Sequence, residues 1–432
     1  MKCLSRLNSC NSKLIWPLTL LLLLSPLRSE DWTEFRGPNG QGISTARSVP
    51  RDWSGDRNVA WKAEIPGEGW SSPVLAAGRI YLTAAVAPEV ADNPNDRQLL
   101  VLCYDAASGA QLWSTPVFQQ AGTDDRTRIH KKNSHASPTP VLQGDQLFVH
   151  FGTLGTACLS TDGNVLWRNQ ELVFQPVHGN GGSPVLFEDL LIFSCDGGDQ
   201  QFVVALDTKS GAVRWKTDRP EVPNPKKFSF CTPLIVNIEG KPQLISPGAD
   251  CVVSYDPRSG EQLWFVRYEG YSVIPRPVYA HGLIFVSTSY DRPQLLAIAP
   301  GDAGDVTETN IRWSTSQGAP HTASVLVVAD ELYFVSDNGI AHCVDARTGE
   351  VHWKQRLGGN YSASPVFADG AIYFQSEQGE THVVQPGREY VELATNALPE
   401  STLASPAVQN GALFIRSAGY LYRIGAPATA RE

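Results

Sequence analysis

A pattern of aspartate, glycine and tryptophan recurs along the chain and restricts its fold more than any other feature. The spacing D-x-x-x-G-x-x-x-W occurs in four segments, YDAASGAQLW, LDTKSGAVRW, YDPRSGEQLW and VDARTGEVHW. Partial copies fill the gaps, and successive units are 40 to 54 residues apart. A period of that length indicates an array of similar structural units rather than unrelated domains.

The residue types in this pattern predict a β-hairpin in every unit. A carboxylate entering a tight turn can accept backbone N–H groups, and glycine adopts the positive φ that the turn requires. The returning strand carries a large ring that can pack between neighbouring units. We therefore assign structural roles to Asp105, Gly109, Trp113, Asp207, Gly211, Trp215, Asp256, Gly260, Trp264, Asp345, Gly349 and Trp353.

A second element precedes each hairpin and consists of a short strand, a turn at Gly or Asp, and another strand. Eight such starts occur, from SSPVLAAGRIYL in the first unit to ASPAVQNGALFI in the last. Each unit then has four strands, except that the last unit lacks its fourth. The segment around Trp61 is a fourth strand with no unit before it, so pairing it with the last unit closes a ring and hides the final edge.

The predicted fold is therefore all-β, a single eight-bladed β-propeller of four-stranded antiparallel blades whose last blade is closed by an N-terminal strand. We place a signal peptide at residues 1–29, an entry segment packed on the propeller at 30–58, the propeller at 59–425 and a C-terminal tail at 426–432.

The hairpins and the S-P-V strand starts resemble those of the pyrroloquinoline-quinone-like (PQQ-like) β-propeller repeat family, over roughly residues 53–425. The stretch DWTEFRGPNGQG at 31–42 is similar to the entry segment of exported members. The resemblance implies the propeller fold. It leaves the function open, because the family includes quinone-dependent dehydrogenases, assembly scaffolds and proteins of unknown role.

The N-terminus has the features of a secretory signal. Basic residues precede an apolar run, LIWPLTLLLLLSPL, which is too short and too interrupted by proline for a membrane span of about 20 residues. We favour a cleaved signal over an uncleaved anchor and expect a periplasmic or secreted protein. Neither Cys3 nor Cys10 follows the apolar run, so we expect no lipid anchor.

The charge of the chain argues against nucleic acid and anionic lipid as partners. Residues 1–29 contain four basic and no acidic side chains, so cleavage changes the net charge from −9 to −13. After cleavage we expect no membrane span and a monomer.

Six cysteines remain beyond residue 29, and none forms a C-x-x-C motif or an adjacent pair. Zinc ribbons, thioredoxin-like chemistry and covalently attached haem therefore lack their local signatures. An exported chain can form disulfides, so buried free thiols and one or two bridges both remain open.

Loop lengths point to one decorated face of the ring. Connections between blades lie on one face, and the D-x-x-x-G turns lie on the other. Three of the connections are long: 27 residues separate Trp113 from Pro140, 17 separate Trp167 from Pro184, and 18 separate Trp215 from Pro233, against 12 from Trp61 to Pro73. Because binding residues concentrate on loops carried by a rigid scaffold, we expect a binding site on this face.

The candidate ligand rim consists of polar residues shortly before the first strand of several blades, namely His135, His178, Tyr271, Arg276, His321 and Tyr361. At the position just before the strand's proline, Arg276 replaces the small hydroxyl residue that the other seven blades carry. It can anchor an anion or pair with an acid across the channel. The histidines can bind a ligand or serve as ordinary hydrogen-bonding residues, and we assign no metal or catalytic residue. Lys131, Lys132, Lys226 and Lys227 are interpreted as solvated loop tips.

Two functions follow as hypotheses. The favoured one is an exported scaffold whose decorated face, around the central channel, binds a small anionic or sugar-like ligand or a protein segment. The alternative is a PQQ-dependent oxidoreductase that uses calcium and acts on an alcohol or sugar. The resemblance implies that such dehydrogenases carry an adjacent-cysteine disulfide, a tryptophan floor, acidic and amide calcium ligands and an aspartate base. This sequence has no adjacent cysteines beyond residue 29, and we match no such ligand set in it.

Overall fold

A computed structural model describes residues 31–124 and 128–426, and in these residues the chain forms a ring of eight β-sheets. The predicted eight-bladed propeller is confirmed. The signal peptide assigned to residues 1–29 and nearly all of the C-terminal tail lie outside the described residues.

Each blade has four antiparallel strands, and in seven blades these follow one another in chain order from the axis outwards, whereas the last blade takes its outermost strand from the N-terminal part of the chain. The first four blades contain β2 Val74–Ala76, β3 Arg79–Val86, β4 Arg97–Asp105 and β5 Gln111–Gln120; β6 Val141–Gln143, β7 Gln146–His150, β8 Thr156–Ser160 and β9 Val165–Asn169; β10 Val185–Phe187, β11 Leu190–Asp196, β12 Gln201–Asp207 and β13 Val213–Asp218; and β14 Leu234–Ile238, β15 Lys241–Pro247, β16 Cys251–Tyr255 and β17 Gln262–Arg267.

The remaining four blades contain β18 Val278–Ala280, β19 Leu283–Ser287, β20 Leu295–Ile298 and β22 Ile311–Thr315; β23 Leu326–Val328, β24 Glu331–Val335, β25 Ile340–Asp345 and β26 Val351–Arg356; β27 Val366–Ala368, β28 Ala371–Gln375, β29 Glu380–Gln385 and β30 Val391–Ala397; and β31 Ala407–Gln409, β32 Ala412–Arg416, β33 Tyr420–Ile424 and β1 Val59–Glu64. A short strand, β21 Gly304–Asp305, adds a parallel edge to β17. The one described α-helix, α1 Thr307–Asn310, has four residues, and no described helix is long and apolar enough to cross a membrane.

The ring closes as the sequence predicts. Strand β1 runs antiparallel to β33, with Trp61 opposite Arg423 and Glu64 opposite Tyr420. The N-terminal strand thus covers the edge that the last blade would otherwise expose.

Tryptophans of the outer strands join neighbouring blades. Six indole N–H groups donate to a backbone carbonyl in the last turn of the following blade, over 2.9 to 3.2 Å; one example joins Trp167 to Thr208. The ring lies against the glycine of that turn, so that a Cβ on Gly211 would be 2.5 Å from Trp167. Trp264 instead donates to Gln243 of its own blade, and the next blade has no D-x-x-x-G turn.

The aspartate of the repeat shapes the turn that receives the ring. Asp207 accepts hydrogen bonds from the backbone N–H groups of Lys209 and Ser210 and from the Ser210 hydroxyl, at 2.9 to 3.1 Å. The Ser210 hydroxyl in particular lowers the pKa of this carboxyl. The geometry matches the structural role expected from the sequence.

The entry segment crosses the face that carries the hairpin turns. Trp32 pairs with Leu75 of the first blade, and Ile43 pairs with Phe367 of the seventh. Between them the buried side chain of Arg36 donates to the carbonyl of Val325 in the sixth blade, over 2.7 Å. The carbonyl of Thr33 also accepts the backbone N–H of Leu142 in the second blade, which lies opposite the sixth, so the segment spans the ring and covers its axis at this end.

Candidate functional site

The first strands of the blades converge on the axis and are joined there by side-chain hydroxyls. The backbone N–H of Thr139 donates to Ser183 Oγ over 2.9 Å, and the N–H of Ser183 donates to Thr232 Oγ1 over 2.9 Å. Equivalent bonds of 2.9 to 3.0 Å recur around the ring. We call this set the hydroxyl belt; its members are Ser72, Thr139, Ser183, Thr232, Ser324, Ser364 and Ser405.

Arg276 interrupts the belt and fixes the entry segment. Its guanidinium donates to Glu34 Oε2 over 2.7 Å, to the carbonyl of Phe35 over 2.5 Å and to the carbonyl of Pro233 over 3.1 Å. The side chain is only 2 % exposed. Its donors are thus committed to the protein, as in the acid-paired alternative, although the acid belongs to the entry segment rather than to the far side of the channel.

The belt and the loops above it enclose a cavity of about 800 Å³, which we call the mouth cavity. All seven hydroxyls of the belt line it, and so does the ring of Phe35 from the entry segment. Because the entry segment covers the axis on the turn face, the central channel is a cup that opens on the loop face and not a through pore.

A chain of aromatic and imidazole rings forms one wall of the cup. Ring centroids are 5.4 Å apart for His178 and Phe228, 5.5 Å for Phe228 and Tyr271, 5.5 Å for Tyr271 and Tyr290, and 5.9 Å for Tyr290 and His321. These edge-on contacts hold the rings at fixed angles. With two further neighbours, the aromatic arc consists of His130, His178, Phe228, Phe230, Tyr271, Tyr290 and His321.

Two lysines reach the same cavity. Lys226 Nζ donates to the phenol of Tyr271 over 2.8 Å and lies 4.6 Å from the centre of that ring. Lys132 Nζ pairs with Glu377 over 2.8 Å. Both lysines line the mouth cavity, so the interpretation of them as solvated loop tips was incomplete.

The structure brings together three of the six predicted rim residues. His178, Tyr271 and His321 line the mouth cavity. Burial and the neighbouring His130 lower the pKa of His178.

The other three predicted rim residues lie elsewhere. Arg276 holds the entry segment as described. His135 lines a separate cavity of about 20 Å³ beside Phe151, where burial and then Arg97 lower its pKa to about 4. Tyr361 is fully buried in the core between the sixth and seventh blades. Counting residues back from the strand proline located these loops but could not show which way each side chain turns.

Several cavity residues escaped the sequence reasoning. They are Trp70, Phe228, Phe230 and Tyr290, while Lys132 and Lys226 were interpreted only as loop tips. The sequence contained part of the information needed to find them, because KKFSF at 226–230 is an unusual cluster of lysines and aromatics inside a long inter-blade loop. Tyr290 lies on a connection within the fifth blade, which the comparison of inter-blade loops did not cover.

The six described cysteines are free and buried, so the structure favours buried thiols over disulfides. Burial raises the pKa of Cys103 to about 12 and that of Cys251 to about 11. The described residues contain no disulfide of the kind that the quinone-dependent dehydrogenases are expected to carry beside their cofactor.

The residues present do not fit a calcium–PQQ centre. Asp337 is the one carboxylate among the described residues that line the mouth cavity. Its oxygens already accept the N–H groups of His321 and Thr322 and the Thr322 hydroxyl, at 2.9 to 3.2 Å. Calcium takes six to eight oxygen ligands, and no group of three or more His, Cys, Asp or Glu side chains in the described part of the chain is placed to hold a metal.

Comparison with solved structures shows the same fold at low sequence identity. BamB from Moraxella catarrhalis matches with a TM-score of 0.56 and 15 % identity, over 84 % of this chain and 99 % of the other. Quinohemoprotein alcohol dehydrogenase from Comamonas testosteroni matches with a TM-score of 0.67 and 11 % identity, over 93 % and 82 %. A europium-containing methanol dehydrogenase gives 0.54 and 10 %, over 90 % of each chain.

No curated protein matches this chain significantly in sequence. A family model does match: the PQQ_2 model, described as outer membrane protein assembly factor BamB, covers residues 54–226 and 302–386, which is more than half of the chain. Together with the repeat and the eight blades, this match shows that the chain belongs to the PQQ-like (PQQ_2, BamB-like) β-propeller repeat family.

Proposed function

We propose that this chain is an exported ligand-binding propeller that holds a small polar molecule in its mouth cavity. The observation that carries the proposal is the cup of about 800 Å³, which opens on the loop face and has the hydroxyl belt at its base and the aromatic arc as one wall. Its volume falls within the roughly 300–1,000 Å³ of small-molecule sites. Rigid blades preorganise such a site, so little entropy is lost when a ligand binds.

A small molecule suits the base of the cup better than an extended polypeptide. A peptide that adds to a strand needs free backbone donors. At the belt, the N–H groups of Ser72, Thr139, Ser183, Ser324 and Ser364 are already bonded to hydroxyls of the next blade. A protein segment remains the second form of the proposal, with side chains rather than backbone entering the cup.

The proposal includes export and a monomeric state. The basic and apolar character of residues 1–29 supports export to a periplasmic or extracellular location. The net negative charge disfavours nucleic acid as a partner.

The test uses a variant that fills the cup. Gly181 lines the cavity, and a Cβ there would lie 3.3 Å from Phe230 Cβ, so Gly181→Phe should occupy the site after a small shift of Phe230. Gly55→Phe is the matched control, because Gly55 is exposed and a Cβ added to it would have no atom within 4 Å. Calorimetric titration of the mature protein with neutral oligosaccharides, acidic oligosaccharides and short peptides measures binding.

Binding of at least one probe that is lost in Gly181→Phe and retained in Gly55→Phe supports the proposal. No binding up to about 10 mM, or equal binding in Gly181→Phe, overturns it. The oxidoreductase alternative is tested in parallel with PQQ and calcium. Quinone absorbance on the protein together with dye-linked oxidation of an alcohol or sugar would replace the binding proposal by that alternative.

A further inference from the structure

The hydroxyl belt has donors without acceptors. A hydroxyl offers one O–H donor besides its acceptor lone pairs. Each of Thr139, Ser183, Thr232, Ser324, Ser364 and Ser405 accepts a backbone N–H, yet none donates to an acceptor in the described part of the chain. All six are at most 5 % exposed and line the mouth cavity. Because buried donors are normally satisfied, the base of the cup calls for a molecule rich in acceptor oxygens.

The lining of the cup is less acidic than the chain as a whole. The net charge is −9, whereas the described cavity lining has two lysines, three histidines and one carboxylate. That carboxylate, Asp337, is engaged by two backbone N–H groups and the Thr322 hydroxyl. Because Lys132 is paired with Glu377, the remaining charges of Lys226 and Asp337 cancel, and an anion meets less repulsion in the cup than at the acidic outer surface.

Lys226 is the lysine of the cup that has no carboxylate in direct contact, and Asp291 acts on it only from a longer distance. Lys132 is neutralised by Glu377 at 2.8 Å. No carboxylate of the described residues lies within 4.0 Å of Lys226 Nζ, which is held by the neutral phenol of Tyr271. A lysine fixed beside an open cavity can supply a charge-assisted hydrogen bond to a ligand carboxylate.

The aromatic arc supplies flat apolar faces next to that cation. Tyr290 is 52 % exposed, and Phe230 and His178 line the cavity with partly open faces. A pyranose ring has an apolar C–H face that suits such a surface, while its hydroxyl oxygens suit the donors of the belt.

From these observations, and resting on the proposed function, we propose that the ligand of the mouth cavity is an acidic saccharide. Its carboxylate lies against Lys226, its ring against the aromatic arc, and its remaining oxygens accept from the hydroxyl belt. The smallest molecule with all three features is a uronic acid or a short oligomer of it.

The test compares two probes that differ only in charge. Trigalacturonate carries free carboxylates, and its fully methyl-esterified form keeps the same rings and linkages without them. Lys226→Met removes the cation of the cup at nearly constant length. Lys227→Met is the matched control, because the neighbouring lysine pairs with Glu221 at 2.8 Å and does not line the cavity.

We expect trigalacturonate to bind about tenfold or more tightly than its ester, as measured by calorimetry at low ionic strength. Lys226→Met should abolish that preference without changing the affinity of the ester, and Lys227→Met should leave it unchanged. Equal affinity for both probes overturns this inference while leaving the proposed function standing. Failure of trigalacturonate to bind also overturns it, and the separate probe series with Gly181→Phe then decides whether the cup binds any ligand.

Discussion

At the scale of single residues, the glycine of the repeat meets two demands at once. Gly211 has a φ of +72°, and a Cβ added to it would lie 2.5 Å from Trp167 Cε3. Gly282, in the turn between β18 and β19, has a φ of +74°, but a Cβ added there would have no atom within 4 Å. The two sites therefore separate backbone strain from the packing of the tryptophan.

We predict that Gly282→Ala lowers the free energy of unfolding by about 1–2 kcal/mol, because the left-handed backbone disfavours a Cβ. Gly211→Ala should lower it by about 1–3 kcal/mol more, since the added methyl displaces Trp167. Urea unfolding of both variants measures the difference. Equal losses would show that the tryptophan does not depend on this glycine.

Buried histidines give the second prediction at this scale. Burial lowers the pKa of His150 to about 3, from an ordinary value of 6.5. Below pH 6.5 the unfolded chain binds a proton at this residue, whereas the folded chain does not bind it until about pH 3. Stability should therefore fall as the pH drops through this window, by at most about 1.4 kcal/mol per pH unit.

Replacing His150 by Gln should flatten the dependence of the unfolding free energy on pH between about 6 and 4.5 by close to one proton. Unfolding by urea at several pH values gives this slope. A slope identical to that of the wild type would mean that His150 takes up its proton in the folded state.

At the scale of structural elements, the hydroxyl belt ties six of the eight first strands to the first strand of the next blade. The sequence showed seven small hydroxyl residues at one aligned position and one arginine. Crowding near the axis, where the first strands converge, was enough to explain why the residues at this position are small. The hydrogen bonds between blades could not be read from the sequence, because they depend on the distance in space between residues that are 40 to 67 positions apart in the chain.

Ser183→Ala should destabilise the protein by about 1–3 kcal/mol, because it leaves the buried N–H of Thr139 without an acceptor. Ser183→Thr should keep the stability of the wild type, since threonine occupies the same belt position in two other blades. Ser72→Ala is the control, because no described residue donates to that hydroxyl. Thermal unfolding tests the series, and a loss for Ser72→Ala as large as that for Ser183→Ala would contradict the role of the belt.

Loop lengths predict where the candidate site lies but not which side chains line it. Loop length correctly identified the face that carries the mouth cavity, and three of the six chosen side chains line it. Arg276 was chosen because it departs from the repeat, but that departure serves the entry segment through Glu34. The partner lies 242 positions away in the chain, so no local pattern could reveal it.

At the scale of the whole molecule, the N-terminal part of the chain both closes the ring of blades and covers its axis. Strand β1 closes the last blade, and the entry segment just before it crosses the turn face and closes the axis. The missing fourth strand of the last unit and the unpaired strand around Trp61 were enough to predict the closure of the ring. The cup could not be predicted from the sequence, because it depends on the path that residues 31–46, which precede the first strand of the ring, take across the turn face.

The central claim is that this cup holds an acidic saccharide. A crystal structure of the mature protein grown with saturating trigalacturonate tests it most directly. We predict the saccharide in the mouth cavity, with a carboxylate within hydrogen-bond distance of Lys226 Nζ and other oxygens near the hydroxyls of Ser183 and Thr232. A saccharide bound on the outer strands or on the turn face, with none in the cup, would contradict this claim.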